Sequence, residues 1–295
     1  MWEANMKPRE THSVESTKTK VVNFFVFVWL AILAIFTVYP IVYIVLGSFK
    51  TNSELVSGGL NIFPEHFNFD NYAQAWEMAN FAQYTLNSFI IAFGVMAVSV
   101  FVSSMAGYVF ARQEFRFKKV IFGLLTMFMF INVGSVSLRP LFELASKLGL
   151  NNSLFPVILI SAGLSQATYI FLVNGFMRSV PRELDEAAAI DGCSFFGTYW
   201  RIILPVLRPA MATVALLSFR GGWNEYILPQ VFTMTREELR PLTVGVVALQ
   251  YSGDGAAAWN ILFAGSAIAI VPIVVIYIIL NKQFMNGTTA GAVKG

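Results

Sequence analysis

Five stretches of this chain carry no Asp, Glu, Lys or Arg, and no other feature of the sequence limits the fold as tightly. They are 21–49, 78–111, 120–138, 148–177 and 255–281. A hydrocarbon core about 30 Å thick is crossed by roughly 20 predominantly apolar residues in a helix, so each stretch can hold one span. A sixth candidate, 207–232, is apolar apart from Arg208, Arg220 and Glu225. The expectation is an all-α integral membrane protein of six transmembrane helices, near 22–47, 86–111, 120–138, 154–176, 207–231 and 260–281. Composition closes the soluble alternative. At 56% hydrophobic and 13% charged residues, the 295-residue chain has too few charges to cover an aqueous surface. Its 28 Phe, 10 Tyr and 6 Trp are the reverse of a disordered composition.

The first apolar run, 29 residues long, exceeds the roughly 7–15 residues of a signal-peptide core, and no small-residue cleavage site follows. Pro40, Pro156 and Pro272 fall within spans, where neighbouring helices can absorb a kink. Gly94, Ser99, Ser103, Ser104, Ala106 and Gly107 put small residues on the second span, which suits close helix contact in lipid better than any catalytic serine.

Basic residues set the orientation. One set of inter-span segments holds fourteen Lys and Arg, from Lys7 to Lys294 and including 112–119 and 178–208; the opposite set holds five. The positive-inside rule then places both termini in the cytoplasm, which requires an even number of spans. Residues 51–86 have no Lys or Arg and four acids (Glu54, Glu65, Asp70, Glu77), as an external loop should.

Several chemistries drop out early. A net charge of +3 without basic clusters interleaved with stacking aromatics gives no footprint for nucleic acid. The single Cys193 permits no internal disulfide. His12 and His66 lie far apart in polar segments with no metal-ligand cluster around either.

Three polar segments are long enough to act. The external loop 51–86 is rich in aromatics, which either rest on the bundle or meet an external partner. A second external loop spans 233–258. The third, 178–207, differs in kind. Pro181 suits a helix start, and Glu183, Asp185 and Glu186 put negative charge in the first turns, where the helix dipole favours it. Leu184, Ala187, Ala188, Ile190 and Asp191 complete a short amphipathic helix that Gly192 can close with a positive φ. A second short stretch, 194–203, is expected to stop at Pro205. By spacing alone, this helix–turn–helix could lie on the membrane surface or dock a partner.

Glu186-Ala187-Ala188, three residues, Gly192, nine residues, Ile202, one residue and Leu204-Pro205 match E-A-A-x3-G-x9-I-x-L-P at every specified position. The chain thereby resembles the permeases of binding-protein-dependent ABC importers. Further stretches resemble the carbohydrate branch, and within it the smaller maltose-type permease subunits: Tyr39-Pro40, Ser48-Phe49-Lys50, Phe63-Pro64-Glu65, Asp70-Asn71-Tyr72, Asn87-Ser88, Trp223-Asn224-Glu225 and the tail 287–295. The resemblance implies a type I ABC importer permease fold over 21–285, between cytoplasmic tails at 1–20 and 286–295. It implies a second homologous permease, two cytoplasmic ATPase subunits that bind ATP and Mg, an external substrate-binding protein and a sugar in transit. Segment 178–207 would be the coupling loop, with Glu186, Ala187, Ala188, Asp191, Gly192, Ile202, Leu204 and Pro205 as the ATPase-coupling residues. Glu186 would contact the ATPase or cap the helix. No G-x4-G-K-[ST] loop is present to cradle a nucleotide, so this chain is expected to bind no cofactor and to be a transport subunit of the bacterial cytoplasmic membrane, not an enzyme.

An ion-coupled carrier would place ionisable groups at mid-membrane, and only Arg220 and Glu225 qualify. A membrane enzyme would need clustered acid–base groups, which the spans lack. Arg220 departs from the family pattern, which carries an apolar residue before the G-x-W-N-[ED] stretch. Asn224 lies one turn on and can face the same way. Arg220 either pairs with Glu225 or the partner subunit, or lines the pathway and meets substrate.

Overall fold

In lipid every backbone polar group must be satisfied within the protein, so long apolar runs fold as helices. The computed structural model describes residues 17–57, 61–78, 80–131, 134–151, 153–251 and 258–292, and among these it contains helices and no β-strand. Helix α1 (Thr17–Gly47) leads through two short helices, α2 (Asn52–Val56) and α3 (Asp70–Met78), into the long α4 (Phe81–Arg112). Then come α5 (Lys118–Phe128), α6 (Leu138–Lys147) and α7 (Phe155–Met177). The helix–turn–helix is built from α8 (Glu183–Ile190), α9 (Phe195–Thr198) and α10 (Leu204–Val206). Helices α11 (Arg208–Asn224), α12 (Ile227–Phe232), α13 (Leu242–Ala248) and α14 (Trp259–Ala292) complete the chain.

The central mast is α4, against which α7 and α11 pack most extensively. Its buried positions, among them Asn87, Ile91, Val95, Ser99, Ser103 and Gly107, recur every three to four residues and form one stripe. Small side chains let the backbones close up: a Cβ on Gly107 would stand 2.5 Å from Val173 of α7. On Gly222 of α11 it would stand 3.0 Å from the Ala92 backbone. The small-residue face read from the sequence is therefore a packing face.

Just past α1, the motif residues around Ser48 and Lys50 meet those at the start of α3. Buried Asn71 donates Nδ2 to the carbonyls of Ser48 and Lys50, 2.8 Å each, while its Oδ1 accepts from Asn260 of α14 at 2.8 Å. Ser48 Oγ and Tyr72 Oη lie 2.6 Å apart, and buried Lys50 donates its ammonium to the Asn61 carbonyl. Most of the loop's aromatics rest on the chain. Phe67, Phe69 and Tyr72 surround Phe49 at 5.2–5.4 Å, and Trp76 stacks on fully buried Phe81. Phe63 is 72% exposed.

Several expected boundaries are corrected. Among the described residues, four helical segments are long and apolar enough to cross a bilayer, Val21–Gly47, Phe81–Arg112, Phe155–Met177 and Trp259–Ile279, and the bent pair Phe195–Val206 with Arg208–Asn224 would make a fifth. The span expected over 120–138 is helical only over the 11 residues of α5, which rise about 16 Å and fall short of a bilayer by themselves. A short 3-10 turn, Gly134–Ser137, intervenes before α6. The span expected over 207–231 breaks at Glu225, whose ψ of 128° is extended. Pro205 does not stop the second stretch of the helix–turn–helix, which continues to Val206. Pro156 sits in the first turn of α7, where its missing N–H costs nothing. Helix α14 runs on through 286–292, the described part of the expected C-terminal tail. Helix α1 begins at Thr17, within the expected tail; the rest of that tail, His12 and residues 293–295 lie outside the described residues.

Candidate functional site

After α7 the chain turns at Val180 and Pro181 and enters α8, whose first turn carries Glu183, Asp185 and Glu186. The helix closes with a Schellman motif: Cys193 N–H donates to the Ala188 carbonyl at 2.9 Å, and Gly192 N–H to that of Ala189 at 3.1 Å. Gly192 adopts φ +77°, as the spacing predicted, and nothing lies within 4 Å of where its Cβ would be. The demand for glycine here is purely a backbone one. Ser194 then caps α9 by accepting the Gly197 N–H at 3.2 Å.

The inner side of α8 is fastened to the end of α4. Arg112 Nε lies 2.8 Å from Asp185 Oδ2, with the side chains 9% and 21% exposed. The pair is in ionic contact but its N–H is not aimed for a hydrogen bond, and neither atom has another partner. Tyr108 Oη donates to Asp185 Oδ1 at 3.1 Å, and the other end of the Arg112 guanidinium donates to the Val180 carbonyl at 2.8 Å. Ala188 is buried, and Tyr108 stacks on Phe195 at 4.7 Å. The outer side is open. Glu186, Ala187 and Asp191 are exposed, Ile190 is 87% exposed, and Phe196 of α9 is exposed as well. Ile190 thus projects into solvent between two acids.

Beyond α9 the helix widens into one π-helical turn, Tyr199–Ile203, in which the Leu204 N–H reaches back to the Tyr199 carbonyl. Proline explains it. Pro205 has no N–H to give and its ring crowds the carbonyl four residues back, so the turn before it must open. Buried Tyr199 anchors this turn by a 2.6 Å contact with Ser104 of α4. At Leu207 the axis bends by 78° into α11. Ile202 and Leu204 are half-buried and Pro205 is exposed, so these motif residues shape the bend while Glu186 and Asp191 face outward.

The intramembrane residues do not form the expected pair. Glu225 Oε1 accepts the N–H groups of Ile227 and Leu228 at 3.1 and 3.2 Å, capping α12 across the helix break. Arg220 is exposed on α11 and has no ion-pair partner among the described residues. The physical reason is the break: Glu225 leaves the helical path and its carboxylate is taken by backbone donors. Asn224, the last residue of α11, is exposed too. A cavity of about 800 Å³ opens beside the break, lined by Gln166 and Thr168 of α7, Glu225, and apolar residues such as Phe128.

Sequence reasoning found α8 and its closing glycine. It missed Arg112, Tyr108, Tyr199 and Ser104, which hold the loop from distant positions. The one available signal was Arg112 directly ending an apolar run.

The profile of the family described as binding-protein-dependent transport system inner membrane component matches residues 99–287. The chain is 30% identical over 293 residues to the probable ABC transporter permease protein YurM of Bacillus subtilis (strain 168), covering 99% of this chain and 93% of that protein. It is 34% identical over 274 residues to the galactooligosaccharides transport system permease protein GanQ of the same organism, covering 92% and 95%. It is 30% identical over 258 residues to the diacetylchitobiose uptake system permease protein NgcG of Streptomyces coelicolor, covering 88% and 84%. The fold matches, at TM-score 0.77 and 24% identity, a chain from the crystal structure of a bacterial ABC transporter involved in the import of the acidic polysaccharide alginate, over 91% of this chain and 98% of that one. The match spans the second half of α4, the helix–turn–helix and most of α14, and the chain belongs to the family of binding-protein-dependent transport system inner membrane components.

Proposed function

We propose that this chain is one permease subunit of an ATP-driven importer of sugars or oligosaccharides in the bacterial cytoplasmic membrane. It makes six passes with both termini in the cytoplasm. The third pass joins α5 to the turn after it, and the fifth joins α11 to α12. A second homologous permease supplies the other half of the pathway, an external binding protein delivers the sugar, and two cytoplasmic ATPase subunits hold the ATP and Mg. The observation that carries the reading is the build of 178–207: an α8 clamped to α4 on one side and offering Glu186, Ile190 and Asp191 on the other. A loop that only joined two spans would need no such clamp. The sugar class follows the relatives named for galactooligosaccharides and diacetylchitobiose. The cavity at the Glu225 break, with Gln166 and Thr168 as hydrogen-bonding groups, is this subunit's contribution to the pathway.

The test is reconstitution in proteoliposomes with the neighbouring permease, ATPase and binding protein. Uptake of a neutral oligosaccharide should require ATP and all four components. Uptake by this chain alone, or driven by an ion gradient without ATP, would refute the reading.

A further inference from the structure

Where α4 and α7 end, at Arg112 and Met177, a cavity of about 490 Å³ opens under the start of α8. Arg112, Arg178 and Arg182 line it, against one carboxylate, Glu183. Arg178 and Arg182 are exposed and have no ion-pair partner among the described residues. Arg112 is held by the chain itself: its Nε stands 2.8 Å from Asp185 Oδ2, and its far end donates to the Val180 and Pro181 carbonyls. The same basic field reaches α5: the Glu114 carboxyl is held below its ordinary value by Lys118 first, with Arg182 and Lys119 adding to it. The rest of the wall is apolar, from Ala111, Val180 and Pro181. Five residues past Arg112 in the chain, Phe117 is exposed and Arg116 lies over its ring at 5.2 Å.

We infer that this cavity binds the phosphate headgroup of an anionic membrane phospholipid. Both helices that frame it are apolar enough to cross a bilayer, and the cavity lies at their ends, the level at which headgroups sit. Guanidinium groups grip phosphate oxygens bidentately, and basic pockets between helix ends on the cytoplasmic side suit anionic headgroups. A positive surface charge alone would be satisfied by scattered lysines; here the two exposed guanidiniums of Arg178 and Arg182 flank one concavity, and Arg112, paired with Asp185, forms part of its wall. The bound headgroup would brace the hinge between α7 and α8, and so the posture of the coupling helix. This inference rests on the membrane placement of α4 and α7, and not on which sugar is carried.

The test is native mass spectrometry of the full importer, released from nanodiscs containing equal amounts of phosphatidylglycerol and phosphatidylcholine. The wild type should retain phosphatidylglycerol at least several-fold over phosphatidylcholine. Arg178→Gln with Arg182→Gln should abolish that preference, and Glu183→Gln, which removes the cavity's carboxylate, should strengthen it. The second variant keeps the test valid if the double variant assembles poorly. Retention that survives 20 mM inorganic phosphate supports a lipid site, whereas displacement by it would show a site for free phosphate. Equal retention of both lipids by the wild type would overturn the proposal. So would a double variant that keeps its phosphatidylglycerol but sheds the ATPase, because the patch would then be a protein-docking surface.

Discussion

Gly192 holds a backbone conformation that costs an L-residue roughly 1–2 kcal/mol, with Asn the best tolerated substitute. Gly192→Val should therefore insert normally but uncouple ATP hydrolysis from uptake, and Gly192→Asn should fall between it and the wild type. Paired measurements of ATPase rate and uptake in proteoliposomes check the order; wild-type coupling in the valine variant would sink it. The Arg112–Asp185 contact makes a different claim, about pairwise dependence. Arg112→Met or Asp185→Asn alone strands a largely buried partner, and either should expose 178–207 to protease in inverted vesicles. The two together should do less damage than the sum of the singles, with a coupling of about 1 kcal/mol. Simple additivity would mean that the contact does not hold the loop.

At the scale of the element, α8 separates its two jobs by face. Ala188 and Asp185 serve the chain's own packing, while Ile190 and the acids beside it face outward. Ile190→Glu should leave insertion and the α4 clamp intact yet reduce the ATPase subunit co-purified with this chain by about tenfold, the effect of roughly 1.4 kcal/mol lost at an interface. Unchanged co-purification would place the docking surface elsewhere. The π turn before Pro205 belongs at this scale as well. A residue that ends helices in a propensity reading is accommodated here because the preceding turn widens and the bend follows only at Leu207.

For the whole molecule, α1 is the most telling element. None of the most apolar window of Val21–Gly47 is buried within the chain, although its mean hydropathy is 2.6. It touches the rest mainly through α14, as where Tyr43 meets Phe263 at 5.8 Å. So large an apolar surface needs lipid or a second subunit to cover it. Orientation can be tested through Cys193, the one cysteine of the sequence, which is half-buried beside α8. An impermeant maleimide should leave it unlabelled in intact cells and label it in opened vesicles stripped of the ATPase. Labelling from outside would reverse the topology. Arg220 calls for the same perspective, since it has no ion-pair partner among the described residues. Arg220→Leu should insert and assemble but slow uptake, and adding Glu225→Gln should bring no recovery, because the carboxylate is already engaged by Ile227 and Leu228. Recovery by the double change would instead argue for an Arg220–Glu225 ion pair in the wild type, against the capping role of Glu225.

By itself the sequence determined what depends on local order along the chain. The charge-free runs decided helix and membrane, since hydrocarbon forbids unsatisfied backbone whatever the neighbours are. The spacing from Glu186 to Pro205 decided the helix–turn–helix, and Gly192 its closing turn, because caps and turns are settled within a few residues. Only the tertiary structure decided which residues meet across distance. Arg112 and Asp185, Ser104 and Tyr199, and Asn71 with Asn260 are separated by tens to nearly two hundred positions, and no periodicity links them. The same limit misled the reading at Glu225. Five residues after Arg220 it suggested an intramembrane ion pair, but a helix break redirected its carboxylate to backbone donors, and a break of that kind is set by how α11 and α12 pack around α4 and α7, not by the composition of the segment.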